Sequence, residues 1–199
     1  MISNASVRFF DAQFERQVRD GEFALNPFEL AALPWLRGDV LDYGCGLGNL
    51  SLHAARLGHR VLALDASPAA IGHLKAAALR ESLPLIAEVA DLRTHELKRD
   101  FDTVVSIGLL MFFDRVTALR QLDLLIRSVR PGGVAIVNVL IEGTSFLGMF
   151  DPSAYCLFGP DEVAGHFAQW KVRLCEEQDF AAPGGTIKRF STVIAERPG

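Results

Sequence analysis

Short apolar runs alternate with helical patterns along most of this chain. Residues 39–42 (Asp-Val-Leu-Asp) form the first run, which enters a glycine cluster. Helical spacing over 50–57 follows and stops at Gly58, a residue that readily takes the left-handed C-cap conformation. Residues 61–64 are a second buried strand. Ser67-Pro68 then opens an Ala-rich helix, because Ser caps free N–H groups and Pro at the first helical position loses no bond it needed. Residues 85–89 and 101–107 predict a third and a fourth strand, and 116–129 a helix. Pro131-Gly132-Gly133 makes a tight turn into a fifth strand over 134–140.

Strands that are apolar on both faces and separated by helices imply a parallel sheet covered on two sides. Right-handed crossovers then favour a doubly wound α/β sandwich. After the fifth strand the rhythm changes. A largely apolar loop spans 141–160, a short helix 161–169, and two strands 171–177 and 187–196. The bend between those strands, Pro183-Gly184-Gly185, is too short for a helix, so the last strand should run antiparallel to its neighbour. Two helices, 7–19 and 27–36, precede everything. The expectation is one domain over 1–199: a helical cover (1–37), a ligand-binding core (38–140), and an apolar loop with a terminal hairpin (141–199). Its sheet is seven-stranded, mostly parallel and Rossmann-like.

Composition narrows the function classes. The chain has 199 residues, half of them hydrophobic, which suffices for a real core. Its formal net charge is −4 and no basic run occurs, a poor basis for gripping nucleic acid or anionic membrane. No apolar stretch approaches the roughly 20 residues of a membrane span, and Met1-Ile2-Ser3-Asn4 does not open a signal peptide. The three cysteines, Cys45, Cys156 and Cys175, have neither disulfide-framework nor zinc-knuckle spacing; free thiols in a reducing cytoplasm are the simplest expectation. The five histidines form no cluster at metal spacing, and no metal is expected.

The candidate chemistry begins at Asp42-Tyr43-Gly44-Cys45-Gly46-Leu47-Gly48, where a strand hands over to a helix, the place ligands bind in an open α/β sheet. Asn49 stands where a dinucleotide fingerprint needs its last glycine, and no Gly-Lys pair supports a phosphate-cradling loop. Asp42, two positions before the first glycine, would repel a pyrophosphate but suits a ligand with positive charge. Asp65 ends the second strand, about twenty positions after Gly44, where an acid can accept ribose hydroxyls. Asp91 follows the third strand, within reach of an adenine amine. Three carboxylates at successive strand ends describe one elongated site for a cationic nucleoside.

These residues resemble the class I S-adenosylmethionine-dependent methyltransferases. Residues 40–48 look like their first motif, Leu64-Asp65 the second, Ala90-Asp91-Leu92 the third, and Phe101-Asp102-Thr103-Val104-Val105 and Arg130-Pro131-Gly132-Gly133 those of the fourth and fifth strands. The resemblance covers roughly 38–140, and the terminal reversed strand fits it. It implies S-adenosyl-L-methionine as cofactor, held by Asp42, Gly44, Cys45, Gly46, Asp65, Ala66, Asp91, Leu92 and Ile107. A narrower likeness, to the tellurite-resistance methyltransferases, is carried by Leu110-Met111-Phe112-Phe113, Phe158-Gly159-Pro160-Asp161-Glu162, Trp170 and Arg189-Phe190-Ser191-Thr192. It implies Arg189 as a catalytic residue and a thiol or chalcogen oxyanion among the acceptors; the family's preceding His-Arg pair has no counterpart at 179–184.

On that resemblance Phe112 and Phe113 stand beside the methyl position, where aromatic faces tolerate a sulfonium by about 1 kcal/mol; plain core packing is the competing role. Asp102, at a strand start, is expected to be structural, and Arg189 competes with a solvated surface role. The 141–160 loop serves either as a lid over the pocket or as a homodimer contact. Two rivals stand: a nicotinamide-dependent oxidoreductase, and a non-enzymatic S-adenosylmethionine-binding module.

Overall fold

The computed structural model describes residues 5–199. Its core is a seven-stranded sheet built from β1 (Asp39–Tyr43), β2 (Arg60–Asp65), β3 (Leu85–Val89), β4 (Phe101–Ile107), β5 (Val129–Leu140), β6 (Lys171–Ala182) and β7 (Thr186–Glu196). The spatial order is β3-β2-β1-β4-β5-β7-β6. Strands β1 to β5 pair in parallel, and β7 inserts between β5 and β6, antiparallel to both. Reversal of the chain between β1 and β4 leaves a crevice at the strands' C-terminal ends, the topological switch point of such a sheet.

Strand alternation sorts the side chains into two cores. On one face Val40, Val61, Ala63, Val134, Ile136 and Ile194 meet α2 (Pro27–Ala32), α3 (Asn49–Arg56) and α4 (Pro68–Arg80). On the other, Leu41, Tyr43, Val104, Val137 and Val193 meet α5 (Arg115–Arg127), the 141–160 loop and the short α6 (Glu162–Gly165). Helix α1 (Ala5–Asp20) lies across the crevice: Phe10 meets Phe112 edge-on at 4.9 Å, and the Ser67 hydroxyl donates to Asp11.

Several boundaries differ from expectation, each for a local reason. The helix expected over 27–36 ends as a 3-10 turn, Leu33–Trp35, because Pro34 has no N–H to continue the α ladder. The helix expected over 161–169 shrinks to Glu162–Gly165, entered from a left-handed Asp161. Strand β6 runs on to Ala182, since every residue from Cys175 onward finds a partner on β7. The Pro131-Gly132-Gly133 segment lies inside β5 rather than before it, and the β4–β5 register shifts there. The loop turns most of its apolar residues inward: Met149, Phe150, Cys156 and Phe158 are buried while Leu147 stays exposed, and Phe150 stacks on Tyr155 at 4.6 Å. Asp102 accepts a hydrogen bond from the Asp39 N–H (2.7 Å) and pairs with Arg130 (2.9 Å), at the end of the sheet away from the crevice.

Gly133 is a tight point. A Cβ there would stand 2.7 Å from the Asp102 carbonyl and 2.9 Å from that of Arg130, both backbone atoms that cannot swing away. Gly133→Ala should therefore lower unfolding stability by about 1–3 kcal/mol, as overpacking does. Urea denaturation checks this; an unchanged midpoint would mean the register shift is soft.

Candidate active site

The crevice is a cavity of about 460 Å³, within the usual range of ligand pockets. All nine residues expected to hold a cofactor line it: Asp42, Gly44, Cys45, Gly46, Asp65, Ala66, Asp91, Leu92 and Ile107. The glycine loop reaches it by a sharp backbone path, in which Gly44 (φ 86°) and Gly48 (φ 74°) take left-handed conformations. At Gly48 a Cβ would also run into Leu74 of α4 at 2.4 Å, so the residue is required for packing as well as for the turn. The loop is pinned to β2, with the Gly44 and Cys45 N–H groups both donating to the Leu64 carbonyl.

The three strand-end acids differ in electrostatic state. Asp65 accepts from the Gly46 N–H (2.8 Å) and the Ser67 N–H (2.9 Å). Burial raises its pKa, and these backbone bonds oppose the rise. A carboxylate offers about four acceptor positions, so capacity for a ligand's hydroxyls remains. Asp42 is buried at the floor and accepts from the Ser51 hydroxyl at 2.6 Å. Burial pushes its pKa up to about 7, helped by the charges of Glu29 and Asp65. Asp91 is held bidentately by Arg93 (2.9 and 2.8 Å), and that pairing keeps its pKa low. The three expected carboxylates thus line one cavity in different states: one acid sits near its titration point, one is fixed by backbone N–H groups, and one is paired with a neighbouring arginine. Cys45 is a half-buried thiol whose pKa is raised by desolvation, unsuited to nucleophilic work.

Arg189 does not reach this cavity. It lies on the opposite face of β7, where its guanidinium pairs with Glu177 (3.2 Å) and Asp179 (3.5 Å) of β6. Asp179 is its direct cross-strand neighbour, which explains the pairing. The expected catalytic arginine is corrected on this ground: alternation turns position 189 away and turns Lys188 and Phe190 inward. Phe112 and Phe113 both line the cavity while remaining buried, so the packing and site roles coincide.

Glu29, Asn26, Asn138 and Lys188 also line the cavity and escaped sequence reasoning. Glu29 and Asn26 of the α2 capping box line the cavity, and the Asn-Pro-Phe-Glu run was the available signal. Asn138, a lone amide inside the apolar run 134–140, was another. Lys188 had no signal beyond strand parity. Phe14 of α1 lines the cavity beside the glycine loop, where a Cβ added at Gly46 would stand 3.1 Å from its ring.

Comparison with known proteins agrees with this architecture. Residues 40–133 match a family described as a methyltransferase domain. Hemagglutinin 1 of Eikenella corrodens is 30% identical over 166 residues, which cover 80% of this chain and 55% of that protein. A probable S-adenosyl-L-methionine-dependent methyltransferase, TehB of Haemophilus influenzae, is 24% identical over 79% of this chain and 57% of its own length. The crystal structure of H. influenzae TehB superposes with a TM-score of 0.77 at 20% identity, covering 91% of this chain and 65% of the other. The N-methyltransferase NodS of Bradyrhizobium japonicum, in complex with S-adenosyl-l-homocysteine, superposes with a TM-score of 0.66 at 17% identity, over 92% and 98% of the two chains. The chain therefore spans little more than half the length of the two curated relatives. Residues 40–133 thus match a methyltransferase domain, and the sheet order and superpositions give the chain the class I methyltransferase fold, similar to that of TehB.

Proposed function

We propose that this chain transfers a methyl group from S-adenosylmethionine to a small-molecule acceptor. The observation that carries the proposal is the gathering of the glycine loop, Asp42, Asp65, Asp91 and Ile107 around one cavity. The residues suit the cofactor: Asp65 keeps free acceptor positions for ribose hydroxyls, and Asp42 offers a carboxylate whose ionisation a cation would favour. When bound, S-adenosylmethionine supplies a methyl on a sulfonium, a leaving group that needs no acid.

The chain's own contribution is then positioning and exclusion of water. Alignment of two reactants can lower a barrier by about 7–11 kcal/mol. Phe10, Phe112 and Phe150 form one continuous aromatic wall, with centroids 4.9 Å apart at both contacts. Met149 brings the 141–160 loop to the cavity lining, and the inward turn of most of that loop's apolar residues favours a cover over a homodimer contact. Through the TehB-like resemblance, thiols and chalcogen oxyanions belong among the acceptors to be tried. Incubation with methyl-labelled donor and a panel of thiols, phenols, amines and chalcogen oxyanions tests the proposal. Labelled product from a member of the panel supports it. Saturable cofactor binding with no transfer to any acceptor, or to a cell extract, would favour the sensing module instead.

Asp65→Ala removes charge-assisted acceptors worth about 1.5–3 kcal/mol each, so S-adenosylmethionine affinity should fall by about tenfold or more. Calorimetric titration reads this, and an unchanged dissociation constant would show that the carboxylate serves the loop alone.

Asp42 makes a separate prediction about stability. Its ordinary pKa is 3.8 and its folded value about 7, so the folded state prefers the protonated acid. The stability this confers is complete below about pH 4 and is lost as pH rises through about 7. Asp42→Asn does not titrate. It should melt above the parent at pH 8, with the gap closing toward pH 5, while binding S-adenosylmethionine more weakly. Thermal melts across that range check the sign; a variant that melts lower at pH 8 would mean the acid is ionised and paired in the fold.

A further inference from the structure

The end of the cavity beside β5 and β7 carries polar groups that the cofactor proposal leaves unused. Asn138 is wholly buried. Its Nδ2 donates to the Thr192 hydroxyl at 2.9 Å, and its Oδ1 has no hydrogen-bond partner among the described residues. A buried acceptor without a partner costs about 1–3 kcal/mol, which a ligand's proton donor can recover. Asn138 pairs with Thr192 across the strands, and Leu140 with Phe190. By alternation Asn138, Leu140, Thr192, Phe190 and Lys188 therefore share one sheet face.

Lys188 completes that face. It lines the cavity and no carboxylate lies within ion-pair distance of it among the described residues; its Nζ stands 4.9 Å from the centre of the Phe146 ring. Burial lowers its pKa, as expected of an ammonium with no counter-ion. The nearby arginines are committed elsewhere: Arg93 to Asp91, and Arg189 to Glu177 and Asp179. Positions 188 and 192 lie roughly 13 Å apart along the strand. The lining beside them is apolar, made by Phe28, Leu140 and Phe190, with Phe28 and Phe190 in ring contact at 4.7 Å.

We infer that this end of the cavity is an acceptor subsite for an organic anion with an apolar body and a hydroxyl group. Lys188 takes the anionic group, Asn138 Oδ1 accepts the hydroxyl proton, and the Phe28–Phe190 wall covers the body. The inference rests on the methyl-transfer proposal for the same cavity and deepens it by naming the substrate class. A bare inorganic oxyanion would satisfy Lys188 and leave both the apolar wall and Asn138 without use.

The test is calorimetric titration of the full chain, loaded with S-adenosylhomocysteine, with four probes: para-hydroxybenzoate, para-hydroxyphenylpropionate, para-hydroxybenzamide and selenite. At least one acid should bind about tenfold or more tightly than the neutral amide, since a charge-assisted contact is at stake. Selenite should bind more weakly than that acid. Lys188→Met should erase the preference for acid over amide while leaving S-adenosylhomocysteine affinity unchanged, which also shows that the variant is folded. Arg189→Ala should retain the preference. Equal binding of acids and amide, tighter binding of selenite, or a preference that survives in Lys188→Met would overturn the inference. Failure of S-adenosylhomocysteine to bind, with the Lys188-dependent preference intact in the unloaded protein, would instead sink the methyl-transfer proposal and leave the subsite standing.

Discussion

The Asp65 carboxylate is the joint on which the site turns. It stands at the tip of β2 and accepts one backbone N–H from the glycine loop after β1 and another from Ser67, the cap of α4. The Ser67 hydroxyl passes the connection on to Asp11 of α1. One acidic side chain thus couples two neighbouring strand ends, the start of one helix and the helix that closes the crevice. Two backbone hydrogen bonds to one carboxylate therefore hold the geometry of the glycine loop, together with its left-handed glycines. The groups that Asp65 organises are the same ones that surround the cavity.

The cavity floor shows a cost of placing acids beside one another under burial. Asp42, Glu29 and Asp65 each resist ionisation through desolvation, and their charges oppose one another. Such a site is less stable empty than an apolar one would be, which is a familiar compromise at binding sites. A cationic ligand relieves it. Asp91 follows the opposite design, with its charge balanced within its own turn by Arg93. The same residue type at equivalent strand ends therefore plays three electrostatic roles, set by burial and partners rather than by position in the motif.

Much of the sheet was legible in the sequence because fully buried parallel strands read as continuous apolar runs. β3 and β4 match their expected bounds, and β1, β2 and β7 extend theirs by a residue or two. The motif residues were legible as well, since a glycine bend flanked by acids leaves few other uses. The misses share a cause in tertiary context. Arg189 and Lys188 are adjacent, and only the β5–β7 register decides which of them faces the cavity. Asp91 carries Arg93 two positions on, and whether such a pair closes depends on the turn. Burial of Asp42 depends on α2 and α3 folding over it, which no local pattern at Asp42 reports. The polar interruption at Asn138 was visible, and its meaning came from Thr192 across the sheet.

The crevice fits a positively charged adenosine derivative rather than a dinucleotide. Equilibrium titration of the unmodified chain with S-adenosylmethionine and, separately, with a nicotinamide dinucleotide tests it most directly. The structure predicts one-site saturation by S-adenosylmethionine and no measurable binding of the dinucleotide. Saturation by the dinucleotide, with S-adenosylmethionine left unbound, would contradict it.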